Sequence, residues 1–396
     1  MEFTNEEKEY IKKYEEKFHV LTNEEKEYII KIKRENNTDK TKKELGQVFT
    51  KKEQVEEMIS LIENTGFILE PSAGNGAFYN SLPKERTIGI EIDKDVAPEG
   101  VEIKDFFTEN RKFDTIIGNP PYLMNKEIPV ETKKLLPNVL NSQANLYMFF
   151  IWRCLDLLED NGELIFLVPR DFIKLTSAIP LNKRLNEEGG FTFWKEFGDQ
   201  KIFDDACPNV VIFRWQKGIS HKIPIFYQNG FFTFVEGNKK LSDYFDIYVG
   251  AVSGANDIYY SENGNIELAF SKTKETGEFI KAIHNDKEKL LPFKEKLLER
   301  KATKFTEVNW WKWVREPKNL PGDKILVNAK TRDLKPFYIS NASNWDGSLL
   351  ALIPKKELDL NEWVLKLNSL DWEKLGFKVG GRLIFSQKAL FNLVFN

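Results

Sequence analysis

From Phe67 onward, apolar positions fall into short β-rich runs, GFILEP, RTIGIEID, FDTIIGNPP and GELIFLVP, each separated from the next by a stretch with helical spacing. The longest helical stretch, residues 142–159, carries a wide apolar face. Such alternation predicts a mostly parallel sheet flanked by helices. Two further β-like runs, 191–197 and 209–215, predict an antiparallel hairpin that closes the sheet at one edge. After about Asn238 the alternation fades into loop-rich sequence containing Trp310, Trp311, Trp313, Trp345, Trp363 and Trp372, which predicts a second, mixed α/β domain. The expected divisions are 1–42, 43–238 and 239–396.

The first segment repeats itself. TNEEKEYI begins at Thr4 and again at Thr22, an offset of 18 residues or five helical turns, so both copies present the same face. Thr4 with Glu7 and Thr22 with Glu25 form capping boxes, which predicts a charged helical extension facing solvent. At 396 residues the chain is long enough for two cores. No apolar run is long enough to span a bilayer, and the N-terminus lacks a signal-peptide pattern, so a cytoplasmic protein without a membrane partner is expected. Three histidines and two distant cysteines, Cys154 and Cys207, offer too few ligands for a structural zinc, and no metal site is expected. The net charge of −3 says little about surface distribution, but between Lys287 and Lys335 basic residues outnumber acidic ones and are interleaved with tryptophans. That composition suits a phosphate-contacting surface and equally a solvated basic face.

The chemistry sits at the strand ends. Glu70 ends the first run, and Pro71-Ser72-Ala73-Gly74-Asn75-Gly76 forms a loop of small residues leading toward an expected helix. Gly74 and Gly76 would let a nucleoside approach the backbone, although many turns share a glycine pair. Glu91 ends the next strand, where a carboxylate can accept from both ribose hydroxyls; an acidic residue after a strand is also a common helix cap, which Asp93 could equally be. Asp105 offers an acceptor for an adenine amino group; Phe106 offers a ring to stack on the base or a core side chain. Asn119-Pro120-Pro121-Tyr122 is the sharpest signal. Its prolines fix φ and supply no N–H, so the turn projects the Asn119 side chain and the Pro120 carbonyl rigidly. Those two acceptors suit a planar NH2 group, whose lone pair would be turned toward a methyl sulfonium for in-line transfer. Tyr122 would stack on the presented base.

In this order, EPSAGNG, IGIEID, KDFF and GNPPY resemble the gamma class of DNA N6-adenine methyltransferases from bacterial restriction-modification systems. The resemblance runs from about Lys43 into the C-terminal region and implies an α/β fold: a Rossmann-like class I methyltransferase core with a C-terminal DNA-recognition domain. It implies S-adenosyl-L-methionine as cofactor, double-stranded DNA as substrate and, in such systems, a cognate restriction endonuclease as partner. Gly46-Gln47-Val48-Phe49-Thr50 resembles the family's first cofactor motif, with Lys51 where most members have proline. By the same resemblance Thr50, Glu70 and Ser72 approach the methionine end, Glu91 the ribose, Asp105 and Phe106 the adenine, and Pro121 the cofactor's far side. Asn145-Leu146-Tyr147 is similar to the helix that follows the catalytic turn. Lys201-Ile202-Phe203 is similar to the target-base motif, with Phe203 stacking on the flipped adenine opposite Tyr122 or, on the plainer reading, lying in the core. VGAVSGANDIYY, 249–260, resembles the start of a recognition domain. The same turn could present a protein glutamine amide or an RNA base amino group; the roughly 180 residues after Val210 favour DNA, because they need a purpose beyond the core fold.

Overall fold

The computed structural model describes residues 50–141, 143–198, 209–300, 305–379 and 381–396. The duplicated N-terminal segment, the motif residues 46–49, Phe203, Cys207 and Lys304 lie outside the described residues. The chain divides into two compact units, one running to Phe172 and resuming over Ser177–Pro224, the other comprising Ile173–Thr176 and Ile225–Asn396. The expected division at 238 falls beyond the hairpin Phe226–Gln228 with Phe231–Thr233, whose buried Phe231 and Phe232 side chains lie in the second unit.

In the first unit, helix α1 (Lys52–Ser60) precedes β1 (Ile68–Glu70), β2 (Thr87–Glu91), the short β3 (Glu102–Ile103) and β4 (Phe113–Gly118). Helices α2 (Val130–Leu135) and α3 (Leu146–Leu157) lead to β5 (Leu158–Pro169), and α4 (Ile179–Glu188) leads to β6 (Gly189–Glu196) and β7 (Val210–Lys217). The seven strands form one sheet in the order β3-β2-β1-β4-β5-β7-β6. Strands β1 to β5 pair in parallel, whereas β7 runs antiparallel between β5 and β6, so the expected closing hairpin is present. This is the Rossmann-like arrangement. Ile68 and Leu69 of β1 and Ile116 and Ile117 of β4 are fully buried, as strands covered on both faces require. On one face Val55 and Met58 of α1 pack with Ile68, Ile117, Ile165, Leu167 and Ile212.

Helix α3 is buried around most of its circumference, which its run of apolar residues anticipates. Its N-cap is Asn145, whose Oδ1 accepts from the Tyr147 N–H at 3.4 Å. Asn145→Ala should therefore lower the unfolding free energy by ~1 kcal/mol, read as a shifted urea midpoint with unchanged slope. The helix expected after Gly76 is replaced by a single 3-10 turn, Tyr79–Ser81. Away from the strands' carboxyl ends, buried Glu163 accepts from Thr115 Oγ1 at 2.8 Å, from the Glu63 and Asn64 N–H groups and from Arg214 Nε, and so ties the α1–β1 connection to the sheet.

The second unit is mixed α/β. Its main sheet is antiparallel, with β8 (Phe245–Val249), β9 (Lys324–Asn328), β10 (Tyr338–Ser340) and β11 (Leu349–Pro354) in the order β8-β11-β9-β10, and helix α5 (Leu360–Ser369) follows in sequence. Of the tryptophans interleaved with the basic run, Trp310 and Trp313 are core and Trp311 is partly buried against them. Trp310 and Trp313 pack with Tyr259, Leu290 and Leu297, and Trp345 packs with Leu326 and Ala351. Several of the lysines are also engaged: Lys289, Lys294 and Lys296 pair with Asp286, Glu307 and Asp257, and buried Lys324 donates to the carbonyls of Gly322 and Ala342. Lys330, Arg332 and Lys335 are exposed. Among the described residues no helix is long and apolar enough to cross a membrane, and no cluster of His, Cys, Asp and Glu has the makings of a metal site.

Candidate active site

The parallel strands converge at their carboxyl ends, where β1 ends in Glu70, β2 ends in Glu91 and β4 ends one residue before Asn119. A crevice at this edge is where open α/β sheets place ligands. One cavity there is lined by Thr50, Glu70, Ser72, Gly74, Glu91, Asp105, Phe106, Asn119 and Pro121, nine of the residues singled out in the sequence. Pro120 is buried and Tyr122 packs against the α1 face of the sheet, and neither is among the residues lining that cavity. Asn75, Phe78, Ile92, Lys104, Phe107, Pro129, Thr132 and Phe150 complete much of the lining and were not assigned from sequence.

The glycine loop works as its composition requires. Gly74 and Gly76 take φ of 52° and 80°, and a Cβ on Gly76 would stand 2.7 Å from Pro98 Cγ. Glu91 organises this loop: Oε2 accepts from the Gly74 N–H at 2.7 Å, and Oε1 from the N–H groups of Ile92 and Asp93. Burial raises its carboxyl above the ordinary range, against the lowering effect of those N–H groups. The departure at Lys51 is mild in form, since that residue adopts φ −70°, the value proline would impose.

Glu70 is 1% exposed, and its Oε2 has no hydrogen-bond partner. Burial pushes the carboxyl well up, the Tyr79 N–H draws it partly back, and the neighbouring Glu91 charge adds to the rise. A buried acceptor of this kind, lining a cavity, calls for a cationic or N–H donor from a ligand. Asp105 caps the 3-10 turn Phe106–Thr108 by accepting from the Phe107 N–H at 3.0 Å, and the Phe106 ring stacks on Phe150 with centroids 4.7 Å apart. Lys104 reaches the cavity wall, but its ammonium is held by Glu102 and Glu109, each at 2.8 Å. Three carboxylates at successive points of one cavity match an amino acid ammonium, a ribose diol and an adenine amino group. The residues present therefore fit S-adenosylmethionine.

The turn Asn119–Tyr122 is tied to this cavity through hydrogen bonds. Asn119 Nδ2 donates to Thr50 Oγ1 at 3.1 Å, and Ser72 Oγ donates to the Asn119 carbonyl at 3.3 Å. The Tyr122 hydroxyl lies 2.5 Å from Asn119 Oδ1 and 2.9 Å from the Leu167 carbonyl, so its one proton serves these two acceptors. This orients the carboxamide, nitrogen toward Thr50 and oxygen toward Tyr122. Beside the turn, Tyr122 meets Tyr147 edge-on at 6.0 Å, and the Tyr147 hydroxyl donates to Asp171 at 2.9 Å. Burial raises the Asp171 carboxyl, and burial together with Asp171 raises the Tyr147 hydroxyl. Asp171 follows the end of β5 and carries no sequence signal of its own.

The sequence profile of the Eco57I restriction-modification methylase family matches residues 4–203. The chain is 35% identical over 195 residues to the type II methyltransferase M.HincII of Haemophilus influenzae, covering 46% of this chain and 39% of that protein. It is 32% identical over 198 residues to the type II methyltransferase M.TthHB8I of Thermus thermophilus, covering 44% of this chain and 45% of that protein. The chain thus matches less than half the length of these curated relatives. Among solved structures, the type IIL restriction-modification enzyme MmeI in complex with DNA shares the fold, with a TM-score of 0.57 at 11% identity over 86% of this chain and 64% of that one.

Proposed function

This chain belongs to the Eco57I restriction-modification methylase family, and on that premise we propose that it transfers a methyl group from S-adenosylmethionine to the N6 amino group of adenine in double-stranded DNA. The observation that carries the reading is the Asn119–Thr50 hydrogen bond. It joins the amino-acceptor turn to the cofactor loop in one cavity, so nucleophile and methyl donor would meet at the strand ends.

When bound, S-adenosylmethionine supplies a methyl group on a positively charged sulfur. Thr50, Glu70 and Ser72 would hold its methionine end, with Glu70 Oε2 accepting from the ammonium; Glu91 would take the ribose, Asp105 and Phe106 the adenine, and Pro121 the far side. Gly74, at φ 52°, would let the nucleoside approach the backbone closely. With the Pro120 carbonyl, Asn119 Oδ1 would accept the hydrogens of the target NH2. This draws the nitrogen lone pair out of conjugation and aims it at the methyl carbon. The proton leaves after the nitrogen becomes cationic and acidic, so no carboxylate need remove it first.

An adenine within a duplex cannot reach this cavity, so the base would be rotated out of the stack, with Tyr122 and Phe203 as the flanking rings. The second unit would serve as the DNA-recognition domain, and its exposed Lys330, Arg332 and Lys335 would contact phosphates. A cognate endonuclease would then be blocked at the modified sequence. Sequencing modified bases in DNA from cells expressing the protein tests the whole reading. N6-methyladenine confined to one short sequence is the expected result; unmodified DNA, or methylation on cytosine alone, would overturn it.

A further inference from the structure

Thr132 is 6% exposed, although it lies on the short helix α2 between the exposed residues Val130 and Lys133's neighbour Lys134. Its side chain lines the cavity, and its Oγ1 donates to Asp105 Oδ2 at 2.7 Å. The other carboxylate oxygen, Oδ1, accepts from the Phe107 N–H. A carboxylate only accepts, so the hydroxyl hydrogen of Thr132 is committed to Asp105. What remains on Thr132 is lone pairs. Asp105 likewise has lone pairs left on both oxygens. At this end of the cavity, therefore, two neighbouring side chains offer acceptors and no donor of their own.

We infer that Thr132 is a specificity-determining residue for the cofactor's base: together with Asp105 it presents a paired acceptor surface that admits a purine bearing a 6-amino group and rejects one bearing a 6-oxo group. The inference rests on the cofactor reading above and adds to it a residue outside the motifs. An exocyclic NH2 carries two hydrogens, one for each acceptor. A carbonyl in the same place would set oxygen lone pairs against oxygen lone pairs, and a site built around buried hydrogen bonds discriminates strongly against a ligand that leaves them unmade. Thr132 also fixes the Asp105 carboxylate in place, which the Phe107 N–H alone would hold at only one oxygen.

The test uses the full chain and two ligands, S-adenosylhomocysteine and S-inosylhomocysteine, which differ in the 6-substituent and the associated ring proton. Affinities are measured by calorimetry for the wild type, Thr132→Val, Thr132→Ala and Thr132→Ser. The wild type should prefer the adenosyl ligand. Thr132→Val, nearly isosteric but without the hydroxyl, should weaken adenosyl binding about tenfold and leave inosyl binding little changed, so the preference ratio contracts by about the same factor. Thr132→Ala carries the same expectation should the valine variant fail to fold, and Thr132→Ser should restore the wild-type ratio. Equal weakening of both ligands would show that Thr132 only braces α2 and would overturn the inference, as would a wild type indifferent to the two ligands. A wild type that binds neither ligand would instead remove the cofactor reading and this assignment with it, which separates the two failures.

Discussion

Asn119→Ala should reduce methyl transfer by about a thousandfold or more while S-adenosylmethionine binding stays measurable. The two effects separate because the side chain and the backbone of this residue do different work. The side chain supplies Oδ1, the acceptor proposed for the target amino hydrogen, and it is held by Tyr122 on one side and Thr50 on the other. The carbonyl accepts from Ser72 Oγ, and alanine keeps that carbonyl. The glycine loop is organised by Glu91 rather than by Asn119, so the cofactor side should survive the substitution. Single-turnover transfer to DNA and calorimetric titration with S-adenosylhomocysteine read the two quantities independently. Transfer at the wild-type rate would remove Asn119 from the reaction; loss of both transfer and binding would reassign it to holding the cofactor loop.

Much of this arrangement was legible because it is local. The strands carrying Glu70, Glu91 and Asn119 are runs of apolar residues whose length and flanking turns identify them, and in a parallel sheet their ends must lie on one edge. Residues at those ends are thereby gathered without knowledge of any contact. The parts that escaped depend on long-range packing. Thr132 sits on a short helix with ordinary composition, 27 residues from the aspartate it meets, and nothing in the intervening sequence announces the encounter. The tryptophans of the second unit show the limit from the other side. Interleaved with lysines in sequence they suit a phosphate-contacting or a solvated basic face, but Trp310 and Trp313 fill a core, and Lys289 and Lys296 of the same run form ion pairs. Composition records which residues are adjacent along the chain; it does not record which way they face. The hydroxyl of Tyr122 illustrates the same limit at atomic scale. Sequence suggests a ring for stacking, and the fold adds a hydrogen bond that orients the asparagine three positions earlier.

Glu70→Gln should weaken S-adenosylhomocysteine binding by about a hundredfold near neutral pH and remove part of its pH dependence. The buried carboxyl has one oxygen without a partner, and its proton affinity is raised by burial, with Glu91 adding to the rise and Lys84 opposing it. In the free protein the neutral form is therefore favoured above the ordinary carboxylate range. A bound ammonium reverses that preference, because it supplies both the missing donor and the compensating charge. Binding should then expel a proton, and affinity should rise as pH climbs through the raised pKa of Glu70 and level off above it. For stability without ligand the sign is opposite. A carboxyl whose folded pKa lies above its unfolded one contributes fully below the unfolded value, and that contribution is lost as pH rises through the folded pKa. Free protein should thus lose stability across this window, while ligand-saturated protein should not. Glutamine cannot ionise, so the variant loses the share of proton release that belongs to Glu70; the remainder reflects Glu91, which is raised in its own right. Calorimetry in buffers of different ionisation enthalpy counts the protons directly. Unchanged affinity with unchanged proton release in Glu70→Gln would mean that the ammonium is held elsewhere.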